Sequence, residues 1–199
     1  MFDITPLVGH ALSEIMIVDI GAMDVGGETS FSHLVDRGLA RLIGFEPIEE
    51  ECRKLNQQGV GNCRYVPAFI GDGDAHPFYV TRAPMSSSLY EPNLPLLRQF
   101  QHLEEYMQVT RAVQVQTRRL DDICEVQDVD LLKIDVDGAE LDVFRGAGEN
   151  FDHPDRSSFC SAVQARAVIC RRRRFSTRGR VHVPPLRRTC RARTEAVDV

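Results

Sequence analysis

No apolar run in this chain approaches the roughly 18 residues that a membrane-spanning helix needs, which leaves a transmembrane reading without support. The N-terminus lacks a basic cluster and meets an acid already at Asp3, unlike a secretory leader, so the cytoplasm is the expected compartment. The six cysteines (Cys52, Cys63, Cys124, Cys160, Cys170 and Cys190) form no CxxC pair and no metal-ligand spacing; free thiols are expected, and no metal. The six histidines show no ligand spacing either. Lysine is missing after residue 150. Residues 151–199 hold 12 arginines and only four acids, a charge of +8. Within a net charge of -5, residues 1–150 therefore carry -13. An acidic body of that size is a poor fit to nucleic acid, which leaves nucleic-acid binding unexpected despite the basic tail.

What is present reads as an α/β domain. Ile15 to Ile20 is a compact apolar strand followed by a turn with Gly21, Gly26 and Gly27. A helix is expected from Thr29 or Ser30, with Phe31, Leu34, Val35 and Leu39 at helical spacing. Leu42 to Phe45 is a second strand ending at Glu46-Pro47, and a helix follows to Gln58. Tyr65 to Ile70 reads as strand three, Phe78 to Thr81 as an added strand and Val113 to Thr117 as a half-exposed strand. Between the last two, the Leu96, Phe100, Leu103 and Met107 stripe predicts one helix from Pro92 to Val109, as core or lid. The order strand–helix–strand–helix–strand predicts a Rossmann-like, doubly wound, mostly parallel sheet.

The most informative stretch is Leu131 to Gly148. Leu131, Leu132, Ile134 and Val136 form a short strand covered on both faces, while Lys133, Asp135 and Asp137 share one face by the period-two alternation. Charges inside a parallel strand are costly unless paired or at its open end. The carboxyl end of such a strand is where open α/β sheets bind ligands. Lys133 with Asp135 reads either as part of a site or as a structural ion pair. Asp135, Asp137 and Glu140 around Gly138 suggest a calcium loop only superficially, since an oxygen position is missing and a strand precedes them.

Three features repeat on successive strands. Asp19-Ile20-Gly21 ends the first, and its glycine lets a ligand approach the backbone. Glu46 ends the second and could accept both hydroxyls of a ribose. Asp72 follows the third and could accept from an adenine amino group. A dinucleotide fingerprint is absent: G-x-G-x-x-G would need glycine where Met23 stands, and no glycine-rich loop precedes Lys-Ser or Lys-Thr. Nicotinamide chemistry is thereby disfavoured. A site in Ser86 to Ser88, with Ser87 and Ser88 as substrate contacts, competes with simple loop capping.

Five blocks then fall in one order: Val18-Asp19-Ile20-Gly21-Ala22, Ile43-Gly44-Phe45-Glu46-Pro47, Ser86 to Asn93, Arg119 to Ile123, and Lys133-Ile134-Asp135-Val136-Asp137-Gly138-Ala139-Glu140. Over about residues 14–149 the chain resembles the FkbM family, similar to class I methyltransferases. The resemblance implies S-adenosylmethionine as cofactor and a small hydroxylated acceptor, a sugar or secondary metabolite. It also implies that Asp19, Gly21, Ala22 and Glu46 line the cofactor site and that Asp135 faces the transferred methyl. Asp135 is then the first choice of base and Asp137 the second, with Lys133 tuning or orienting Asp135. Met23 and Val25 depart from the family pattern in the first loop.

The family-like pattern stops near Asn150, which predicts a methyltransferase domain over 1–150 and an arginine-rich irregular tail over 151–199. That tail reads as an out-of-frame or abnormal terminus, with a disordered tail or a basic arm as alternatives. The sheet is accordingly expected to be incomplete after its fourth central strand, leaving the strand at Leu131 as an apolar edge. A non-catalytic relic or binding module, and a NAD-dependent oxidoreductase, are the competing functions. The oligomeric state is not encoded in any of these features.

Overall fold

The computed structural model describes residues 14–23, 29, 31–59, 61–126 and 128–148, together with the strands at 157–163 and 166–172. Its main sheet has six strands in the order β3-β2-β1-β6-β8-β7. Here β1 is Ile15–Ile20, β2 Ala40–Phe45, β3 Cys63–Val66, β6 Leu131–Ile134, β7 Ser157–Val163 and β8 Arg166–Arg172. The first four strands in that order run parallel. Helix α1 (Ser32–Asp36) joins β1 to β2, and α2 (Glu49–Gln58) joins β2 to β3. Helix α5 (Glu140–Arg145) follows β6. A separate antiparallel ribbon pairs β4 (Ala75–Thr81) with β5 (Val109–Gln116).

Alternation along β1 explains how one strand supplies two cores. Met16, Val18 and Ile20 pack on one face with Phe45, Leu132, Ile134, Leu120 and Val143. Ile17 packs on the other with Phe31, Val35, Ala40 and Leu42. Both faces of β1 and β2 are therefore buried, the usual condition of a parallel sheet. Truncating a wholly buried side chain such as Leu132 to alanine would cost about 2–5 kcal/mol. Buried Asp130 starts β6 by accepting the Met16 N–H at 3.0 Å, which locks the register of β1 against β6.

Several expectations are corrected. The edge at β6 is not bare: β8 pairs antiparallel along it, with Leu131 opposite Cys170 and Ile134 opposite Ala167. Part of the segment expected to be irregular thus forms a hairpin, while the parallel portion does stop at four strands. Strand three ends at Val66 instead of Ile70. The expected helix from Pro92 to Val109 is two single turns, α3 (Leu94–Leu97) and α4 (Leu103–Tyr106). His102 lies between them at φ 64°, a left-handed backbone that no continuous helix admits. Leu96, Phe100 and Leu103 are exposed, so their stripe is not core. Cys124 is disulfide-bonded, against the expectation of free thiols; Cys52 and Cys63 are free. Among the described residues no helix is long and apolar enough to cross a membrane. The turn at Gly26 and Gly27, and residues 173–199, lie outside the described residues.

Candidate functional site

Chain order places the site. From β1 the chain moves to β2 on one side, while β6 returns on the other, so β1 and β6 flank a topological switch point. A cleft of about 1010 Å³ opens there, at the carboxyl ends of β1, β2 and β6. Gly21 knits these ends together. Its N–H donates to the Phe45 carbonyl at 3.0 Å, and the Asp135 N–H donates to the Ile20 carbonyl at 2.9 Å. Gly21 sits at φ +76°, and a Cβ on it would lie 2.1 Å from the Asp135 carbonyl oxygen. Only glycine satisfies both constraints.

Asp19 and Lys133 are direct neighbours across the parallel β1–β6 ladder. Neighbouring residues on one face meet, and the Lys133 Nζ donates to Asp19 Oδ1 at 2.7 Å. The same ammonium stands 3.7 Å from Asp135 Oδ2, two residues along the strand direction. Lys133 is thus flanked by two carboxylates, with Asp19 the closer. Asp19 is only 4% exposed. Burial pushes its pKa above the usual carboxylate value, against the opposing pull of Lys133.

Glu46 follows β2 and is 2% exposed. Its Oε1 accepts the Ile48 N–H at 2.8 Å, a turn that fixes the carboxylate at the cleft wall. Burial raises its pKa as well, opposed by that N–H. Ala22 and Asp137 also line the cleft, so Asp19, Gly21, Ala22, Glu46, Lys133, Asp135 and Asp137 come together around it.

Asp72 does not join them. The chain leaves β3 at Val66, and Asp72 turns instead toward the β4–β5 ribbon. It accepts from the Asp74 N–H at 3.0 Å, lies 2.8 Å from His76 Nε2, and accepts from Thr117 Oγ1 at 3.4 Å. The Asp74 N–H, and then His76, hold its pKa below the usual range. Ser87 and Ser88 do line the cleft, with their hydroxyls engaged in the loop. Ser87 Oγ accepts the Thr81 N–H at 3.1 Å, while Ser88 Oγ donates to the Asp137 carbonyl and accepts the Tyr90 N–H at 3.0 Å.

The motif reading missed the apolar residues that line the cleft together with the carboxylates. Phe69 and Phe78 meet edge to face, with centroids 4.9 Å apart and an interplanar angle of 67°, and both line the cleft beside Ile48, Met85 and Leu89. These residues come from four unconnected segments, and no local spacing announces them. The lining thus combines carboxylates with aromatic and aliphatic side chains, the mix expected where an amphipathic small molecule binds.

The methyltransferase FkbM domain family matches residues 19–176 of this chain. A 2-O-methyltransferase, NoeI of Sinorhizobium fredii, is 32% identical over 183 residues, covering 77% of this chain and 69% of that protein. No solved structure matches the chain.

Proposed function

The chain belongs to the FkbM methyltransferase family, and from that premise we propose that it transfers a methyl group from S-adenosylmethionine to a hydroxyl of a sugar or secondary metabolite. The observation that carries the reading is the convergence of Asp19, Gly21, Glu46 and Asp135 on one cleft at the sheet's switch point. The 2-O-methyltransferase name of the Sinorhizobium relative favours oxygen as the accepting atom.

The residues fit that cofactor. Glu46, held by Ile48 at the end of β2, is an acceptor for ribose hydroxyls. Gly21 keeps the strand ends close without a side chain in the way. The carboxylates around Lys133 suit a cationic sulfonium and oppose the pyrophosphate of a dinucleotide. When bound, S-adenosylmethionine supplies a methyl already activated by its sulfonium. Protein residues then need to align the acceptor and take its proton. Asp135 takes the hydroxyl proton, being the less buried partner of Lys133, with Asp137 as the second choice. Lys133, between Asp19 and Asp135, orients the Asp135 carboxylate.

Calorimetric titration with S-adenosylmethionine, with NAD as control, tests the cofactor. Labelled methyl transfer to a panel of p-nitrophenyl glycosides then tests the acceptor. Saturable binding of the sulfonium cofactor and labelled product are the expected results. A folded sample that binds NAD or neither ligand overturns the reading; cofactor binding without turnover on any hydroxylated compound reduces it to a cofactor-binding protein.

A further inference from the structure

Tyr90 takes no part in the cleft itself, yet it is the centre of a chain of contacts that ends there. The loop from Pro84 to Asn93 supplies one wall of the cleft through residues 84–89. Asp135 and Asp137, on the turn between β6 and α5, line the same cleft. Ser88 and Tyr90 join the two. Ser88 Oγ donates to the Asp137 carbonyl, and the Tyr90 N–H donates to the same Ser88 Oγ at 3.0 Å. The Tyr90 ring lies against Gly138, whose missing Cβ would stand 3.7 Å from the ring edge. The Tyr90 hydroxyl then donates to Asp142 Oδ2 at 2.7 Å.

Asp142 is a firm anchor. It sits on α5, is 2% exposed, and receives Arg145 on its other oxygen at 2.9 Å. A hydrogen bond to a buried carboxylate is stronger than one between neutral groups. Tyr90 is 50% exposed, so its ring is held by this hydroxyl and by Gly138, without burial on all sides. The loop is also tied back to β4, because Ser88 and Tyr79 exchange both backbone hydrogen bonds, at 2.8 and 3.2 Å.

We infer that Tyr90 and Asp142 form a clasp that fixes the acceptor-side loop, residues 84–89, at a set distance from Asp135 and Asp137. Tyr90 is a positioning residue. It acts through Ser88 and the Asp137 backbone and touches no reacting atom. The inference rests on the methyl-transfer reading for its consequence, but not for the clasp itself.

Tyr90→Phe removes the hydroxyl and keeps the ring. Wild type and variant, both loaded with S-adenosylmethionine, are compared by amide hydrogen exchange and by methyl transfer to the p-nitrophenyl glycosides. Exchange at the Ser88 and Tyr90 amides is expected to quicken about tenfold or more. Acceptor kcat/KM is expected to fall between about tenfold and a hundredfold. Cofactor Kd stays within about twofold, since the Glu46 side of the cleft is not touched. Unchanged exchange overturns the clasp. Faster exchange with unmoved acceptor kcat and KM overturns its positioning role, leaving a structural contact only. A wild type that methylates none of the glycosides overturns the acceptor class instead, and the exchange comparison still decides the clasp.

Discussion

Replacing Lys133 with methionine isolates the electrostatics at the base of the cleft. Methionine keeps most of the lysine stem's length and removes the ammonium that lies 2.7 Å from Asp19. Breaking a buried pair from one side costs about 3–5 kcal/mol, because the remaining charge is stranded. Protonation sets a ceiling on that cost. From the ordinary value of 3.8, holding Asp19 neutral takes about 4 kcal/mol at pH 7 and about 2 kcal/mol at pH 5. Burial raises the native pKa of Asp19, so above pH 3.8 the native state holds more protons than the unfolded chain. Stability from this group is therefore fully present below 3.8 and is lost as pH climbs through the raised value. Without Lys133 that window widens upward. Urea unfolding at pH 5 and pH 7 should show a deficit against wild type that is larger at pH 7, by up to about 3 kcal/mol. The double variant Asp19→Asn, Lys133→Met should recover about 2 kcal/mol or more at pH 7, since it removes the buried Asp19 charge and leaves only the more exposed Asp135 carboxylate beside the methionine. A deficit under about 1 kcal/mol at pH 7, an equal deficit at both pH values, or a double variant no better than the single would refute the reasoning.

Gly21→Ala should destabilise the chain by about 2 kcal/mol or more, since it meets both a left-handed backbone and the Asp135 carbonyl; thermal unfolding indistinguishable from wild type would show that β1 and β6 are not held this closely. Glu46→Gln should weaken S-adenosylmethionine about tenfold to a hundredfold by calorimetry, the loss of a charged acceptor. Wild-type affinity should fall as pH drops through the raised Glu46 pKa, and the glutamine variant should lose that dependence. Asp72→Ala should lower stability by about 1–2 kcal/mol, because the Asp74 N–H and His76 lose their acceptor. Its cofactor affinity should stay within about twofold; a tenfold loss would return Asp72 to the adenine pocket.

Legibility in the sequence followed the range of the interactions involved. Strands β1, β2 and β6 announce themselves locally, as short apolar runs ending in Asp19, Glu46 and Asp135, and a carboxylate at such a strand end reaches the switch point whatever the loops do. The apolar stripe from Leu96 to Met107 misled, because helical spacing says nothing about whether a surface exists to bury it. Here Leu96, Phe100 and Leu103 find none, and the chain breaks at His102. Asp72 misled for a related reason. Its assignment assumed a strand running to Ile70, and four fewer residues of ladder sent the carboxylate to His76.

Alternation and strand termini, encoded within a few residues, made the parallel half-sheet, the order of its motifs and the placement of Asp19, Glu46, Asp135 and Asp137 at its open end legible in the sequence, whereas Asp72 was not. Only the folded chain settles which acid holds Lys133, which apolar residues share the cleft with the acids, and what covers the β6 edge. Lys133 was read with Asp135, two positions away, but its closest partner is Asp19, 114 residues away, through the β1–β6 register. Phe69, Phe78 and Met85 line one cleft although they come from three separate segments of the chain. Pairing of β8 along β6 puts the short apolar run Ala167 to Cys170 against Ile134 to Leu131, a run whose partner strand no local pattern names.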